Sequence, residues 1–140
     1  MARNRTWVTG PNVNLTLRGA DDATQPEHLD GVIDTGASTI CVDSRVARRL
    51  GLVASNKKDV QMADGRIVLS TIYSARMSIA ALGFDDYVQV CGIEMDYPSS
   101  RVLLGRSFLR NYIVNYNGPI ERFEFHETAG GDEFYLDHDE

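Results

Sequence analysis

The chain has 140 residues, 43% of them hydrophobic and 24% charged, with a net charge of −6. That length predicts a single domain over residues 1–140, able to bury roughly 68% of its unfolded surface without a disulfide or metal staple. The negative balance argues against a nucleic-acid partner, and no apolar run is long enough for a membrane helix.

Two cysteines, Cys41 and Cys91, are too few for a disulfide framework, and no Cys/His spacing suits a metal. The N-terminal stretch has positive charge but no apolar segment behind it, so no signal peptide is expected and a reduced, cytoplasmic setting is the simpler reading.

In chain order, Val13 to Leu17 alternates apolar and polar residues as a half-buried strand does. Gly19 to Asp30 is polar, contains Pro26, and reads as a surface loop. Gly31 to Ile33 is a short apolar strand leading into Asp34-Thr35-Gly36-Ala37-Ser38. From Asp43 to Gly51 an N-cap candidate, apolar residues on one face and a closing glycine predict a helix.

Val60 to Leu69 predicts a hairpin with Asp64-Gly65 as a two-residue turn. Ile72 to Ile79 and Tyr87 to Ile93 predict further strands, joined around Leu82 to Asp86. Val102-Leu103-Leu104-Gly105 is an apolar run ending in glycine, followed by a brief helical stretch over Arg106 to Asn111. Tyr112 to Tyr116 and Ile120 to Phe125 complete the pattern, with a turn at Asn117-Gly118 between them. The class is mainly β, a small closed or folded barrel with one or two short helices.

The chemistry concentrates at Asp34. A buried strand holds one carboxylate rigidly, and Gly36 lets the chain turn with backbone N–H groups close to it. Ser38 can add a hydroxyl donor, and Thr35 a hydroxyl for a neighbouring backbone. There is no second Asp-Thr-Gly in the sequence. Asp-Thr-Gly alone is a weak signal, since a polar turn after a strand is the ordinary explanation of three such residues.

Three features in one order are more specific: Val32-Ile33-Asp34-Thr35-Gly36-Ala37-Ser38, the hairpin with Asp64-Gly65 near its tip, and Leu103-Leu104-Gly105-Arg106 before a short helix. In these the chain resembles the retropepsin-like aspartic proteases, the single-domain group of retroviral enzymes and their bacterial relatives, over about residues 13–116. The acidic tail, about 127–140, falls outside that core.

The resemblance implies a peptide or protein substrate, no cofactor, no metal, and a homodimer obligatory for activity. It makes Asp34 the catalytic aspartate, Thr35 a lock between subunits and Gly36 a contact to substrate backbone. Ala37 and Ser38 complete the turn. Met62, Ala63, Asp64, Gly65 and Arg66 form a flap over the peptide. Leu103 lines an apolar side-chain pocket, while Leu104, Gly105 and Arg106 support the site from beneath. The retroviral pattern places an aspartate where Ser38 stands and pairs it with the arginine found here as Arg106; that acidic partner is missing from this sequence.

Other features have ordinary explanations. His28, His126 and His138 have no metal or nucleophile spacing and read as surface residues. Cys41 is expected as a buried small hydrophobe, Arg45, Arg48 and Arg49 as a solvated helix face, and Tyr112, Tyr116, Phe123 and Phe125 as core or interface. Two alternatives to the protease are a retropepsin fold used only for dimerisation or peptide binding, and a nucleotide-phosphate loop at Ile33 to Ser38. A strand-rich chain with no second phosphate loop disfavours the last.

Overall fold

A computed structural model describes residues 5–21, 25–62, 64–95 and 101–127. Ten strands and two short helices follow in order: β1 (Arg5–Thr9), β2 (Asn12–Arg18), β3 (Glu27–Ile33), β4 (Cys41–Asp43), α1 (Ser44–Arg49), β5 (Val53–Gln61), β6 (Ile67–Ile79), β7 (Phe84–Ile93), β8 (Arg101–Leu104), α2 (Arg106–Leu109), β9 (Tyr112–Asn117) and β10 (Arg122–Glu127). A single 3₁₀ turn, Ala80–Leu82, joins β6 to β7.

Six strands close a barrel in the order β2-β3-β8-β4-β7-β6, and β6 returns to β2 through pairs such as Leu17 with Met77. Closure follows from alternation: Val13, Leu15 and Leu17 of β2 all point inward and are buried, while the residues between them face outward. β5 stands outside the ring, paired only with β6, and all its residues but Val60 are exposed.

The main core gathers Leu15, Leu17, Val42, Val46, Met77, Val90, Val102, Leu104 and Phe108. Cys41, Val60, Ile72, Cys91 and Ile93 form a second, smaller cluster, against which the half-buried Met62, Met95 and Leu103 pack.

A separate three-stranded sheet, β1-β10-β9, pairs Arg5 to Thr9 with His126 to Arg122. Aromatic rings tie it to the barrel. Phe108 of α2 meets Phe84 edge-on at 5.1 Å and Tyr112 at 5.5 Å, and Tyr112 meets Phe125 edge-on at 5.3 Å. Such pairs stabilise beyond their buried area. Tyr112 and Phe125 are therefore packed inside, whereas Tyr116 lies exposed against Phe123.

The helix at Asp43 forms as its sequence predicts: the Asp43 carboxylate accepts from the Arg45 N–H at 3.0 Å, and Val46 and Ala47 are buried. Several boundaries differ. Strand β3 starts at Glu27, inside the stretch that reads as a loop, because Glu27 to Asp30 pair with Leu17 to Asn14 of β2. Strand β5 begins at Val53, well before Val60. The last hairpin turns through four residues, Gly118 to Glu121, between the paired Asn117 and Arg122, so β10 is Arg122–Glu127.

The turn between β5 and β6 is also not the two-residue type. Met62 N–H donates to the Arg66 carbonyl at 2.8 Å, and Gly65 N–H donates to the Met62 carbonyl at 3.0 Å. Three residues thus separate the last bonded pair, and Gly65 takes φ +89° at the end of the loop, the arrangement of a turn followed by a glycine bulge. Ala63, assigned to this tip, lies outside the described residues, as does the acidic stretch from 128 onward.

Candidate active site

Strand β8 lies between β3 and β4. It runs parallel to β3, with Ile33 beside Leu104, and antiparallel to β4, with Leu103 beside Cys41. The chain therefore leaves the sheet at Asp34, loops through Ser38, and re-enters it on the far side of β8. Two interior strands anchor that loop.

Asp34 extends the ladder by one bond, its N–H donating to the Leu104 carbonyl at 3.2 Å. Its side chain is half-buried. Gly36 N–H donates to Asp34 Oδ1 at 3.0 Å, and Ala37 N–H to the Asp34 carbonyl at 3.2 Å. One carboxylate oxygen is thereby fixed by backbone, an arrangement that holds a reacting group without relying on a flexible partner. No hydrogen bond from the Ser38 hydroxyl to Asp34 occurs among the described residues. The Ser38 carbonyl instead accepts from Ser107 N–H at 3.0 Å.

The segment after β8 passes close beneath the loop. A Cβ on Gly105 would stand 2.2 Å from the Thr39 carbonyl oxygen and 2.7 Å from that of Ala37. Only glycine permits this approach, and it brings Arg106 N–H to the Ala37 carbonyl at 2.9 Å. Ser107 Oγ and Thr39 Oγ1 add a bond of 3.2 Å.

Arg106 has a partner in the loop. Its Nη1 donates to the Thr35 carbonyl at 2.8 Å, so the guanidinium holds the turn through backbone where the retroviral pattern uses a carboxylate. Thr35 itself is exposed and Ala37 fully buried.

The structure thus brings Asp34 to Ser38 together with Leu104, Gly105 and Arg106. Leu103 and Met62 both pack on the small cluster around Cys41 and Val60, while Leu104 sits in the main core. Asp64 and Arg66 form an ion pair at the hairpin tip, Arg66 Nε lying 2.7 Å from Asp64 Oδ2. Asp64 also accepts the Arg66 N–H at 2.9 Å, and the two bonds hold its carboxyl below the usual range.

Cys41 and Cys91 are free thiols directly opposite each other on parallel strands. Contact with Cys91 and burial push the Cys41 thiol up, and Asp34 adds to the same effect. A thiol held protonated is a poor nucleophile, so Cys41 belongs to the packing.

Sequence reasoning did not find Thr39 and Ser107, the pair that joins the loop to α2. A hydroxyl on each side of the two motifs is the signal that could have found them.

No curated protein matches the chain. A family model described as gag-polyprotein putative aspartyl protease matches residues 25–111, a segment that runs from β3 through the Asp34 loop and hairpin to the end of α2. With well over half its length matched, the chain belongs to this retropepsin-like aspartyl protease family.

Proposed function

We propose that the protein is an aspartic endopeptidase whose active site forms between two copies of the chain. The observation that carries this reading is Asp34 itself: a half-buried carboxylate at the end of a barrel strand, with one oxygen held by Gly36 N–H. One chain offers one such group, so a dyad requires a second copy.

Two carboxylates at hydrogen-bond distance cannot both ionise, and aspartic proteases use the shared proton. In the assembled site the ionised Asp34 takes a proton from a water between the two groups. The water oxygen bonds to the peptide carbonyl carbon while the protonated Asp34 gives its proton to the carbonyl oxygen. Collapse of that gem-diol returns a proton to a carboxylate, protonates the leaving nitrogen and breaks the C–N bond.

In this reading the exposed Thr35 meets its counterpart across the two-fold axis. Gly36 lies along the substrate backbone, and the β5–β6 hairpin with Met62 to Arg66 closes over the peptide as a flap. Leu103 and Met62 share one apolar cluster, which favours an apolar substrate side chain beside them.

Asp34→Asn keeps the shape and removes the base. Cleavage of a broad peptide library, followed from acid to neutral pH, is expected to fall at least about a thousandfold, the scale of losing a group that acts only in the transition state. Unchanged cleavage by the substituted protein refutes the assignment.

A further inference from the structure

The hairpin carries a second feature that the Asp34 site does not use. Met62 N–H and the Ser55 hydroxyl both reach β6 from the β5 side, at the carbonyls of Arg66 and Ile72. Peptide groups alternate in direction along a strand. Those of Arg66, Val68, Ser70 and Ile72 therefore turn toward β5, and those of Ile67, Leu69 and Thr71 turn away from it.

On that far side β7 pairs with β6 only as far as Thr71, opposite Gly92. Ile93 then follows β4, pairing with Asp43. The strands splay apart, and among the described residues the outward peptide groups of Ile67 and Leu69 have no partner. Their side chains are 68% and 65% exposed, among the most exposed large apolar groups of the described residues.

The gap is a cleft of about 400 Å³, with Val68, Leu69 and Ser70 on one wall and Ile93 and Glu94 on the other; Met62 and Arg66 of the hairpin tip also line it, and Asp34 does not. Ser70 is only 3% exposed, yet among the described residues its hydroxyl has no hydrogen-bond partner. A buried hydroxyl left unpaired is costly, and a ligand that bonds to it removes the cost. An open strand edge, an unpaired hydroxyl and exposed apolar residues at every second position suit one kind of occupant, an extended polypeptide.

We infer that this cleft docks an extended segment of the polypeptide substrate, added as a strand to the Ile67–Ser70 edge of β6, apart from the residues that cut it. The inference rests on the protease reading. Ile67 and Leu69 select apolar, β-branched residues at alternate positions of the docked segment. Its backbone N–H and C=O bond to Leu69, and Ser70 Oγ bonds to a polar group on its inner face.

The test takes a peptide cleaved from the library and extends it by five residues at either end, in one version alternating Val and Thr, in the other Gly and Ser. The readout is the ratio of kcat/KM between the two versions. For the unmodified protein a ratio of about ten is expected, carried by KM, the scale of one apolar side chain buried against Ile67 and Leu69 together with the β preference of Val and Thr.

Leu69→Pro deletes an N–H that the β5 ladder does not use, a position where an edge strand accepts proline. It should bring the ratio to near one. Leu69→Asp, which keeps the backbone, should do the same should the proline variant fail to fold, and Ser70→Ala should lower the ratio part-way. A ratio of one in the unmodified protein, or a ratio of ten surviving in the Leu69 variants, overturns the docking site. If the unmodified protein cleaves nothing in the library, the protease reading fails and takes the substrate-docking role with it, an outcome distinct from cleavage without preference.

Discussion

Gly105 lies so close beneath Thr39 that a single added carbon would sit 2.2 Å from the Thr39 carbonyl oxygen. The contact is backbone against backbone, so no side-chain rotation can relieve it. It is what lets Arg106 and Ser107 donate their N–H groups to the Asp34 loop.

Gly105→Ala should therefore cost about 3 kcal/mol or more, at the upper end for a one-carbon change, since overpacking here moves two strands apart. Urea unfolding measures the loss. Peptide cleavage should fall in the same variant by more than the unfolded fraction explains. A change under about 0.5 kcal/mol would mean that the loop is less tightly seated than its geometry indicates.

Acid should loosen the start of α1. Hydrogen bonds from Arg45 hold the buried Asp43 carboxyl below its ordinary value. A depressed folded-state value means that the unfolded chain binds the proton more readily, so this contribution is complete well above pH 4 and is lost as pH falls below it. Asp43→Asn should lower stability by about 1 to 2 kcal/mol at pH 7, the range for hydrogen bonds to a charged group. The gap between the two proteins should narrow at pH 3. Urea midpoints at pH 7, 5 and 3 check this, and a gap that widens in acid contradicts it.

The thiols of Cys41 and Cys91 are nearly inaccessible, at 0% and 1% exposure. Neither should react with a chromogenic disulfide reagent in the folded protein over minutes, and both should react at once in denaturant. Cys41→Ser places a hydroxyl in an apolar cluster and should cost about 1 to 3 kcal/mol. Rapid labelling of one thiol in the native protein would show that the small cluster opens readily.

Much of the site was legible because its chemistry is local. Asp34 to Ser38 carries its own turn instructions, Leu103-Leu104-Gly105 announces a buried strand that must stop at a glycine, and Asp43 caps a helix within its own reach. Elements stabilised by distant partners were harder. β1 gains its order from His126 to Arg122, more than a hundred residues away in the chain. β5 is exposed on both faces, so Asn56-Lys57-Lys58-Asp59 shows no alternation and its strand character comes from β6 alone. Glu27 and His28 read as part of a polar loop because Leu29 is the one buried side chain in the first half of β3. The role of Arg106 was visible as a missing acidic partner, but its replacement by a backbone carbonyl was not, since any residue at Thr35 would offer that oxygen.

The pairing of Arg5 with His126 makes the described polypeptide a ring closed by its own sheet. A few residues bridging Glu127 to Arg5 would make that ring covalent without disturbing a ladder. New ends opened at the exposed turn after the 3₁₀ segment would then give a permuted chain with the same ladders.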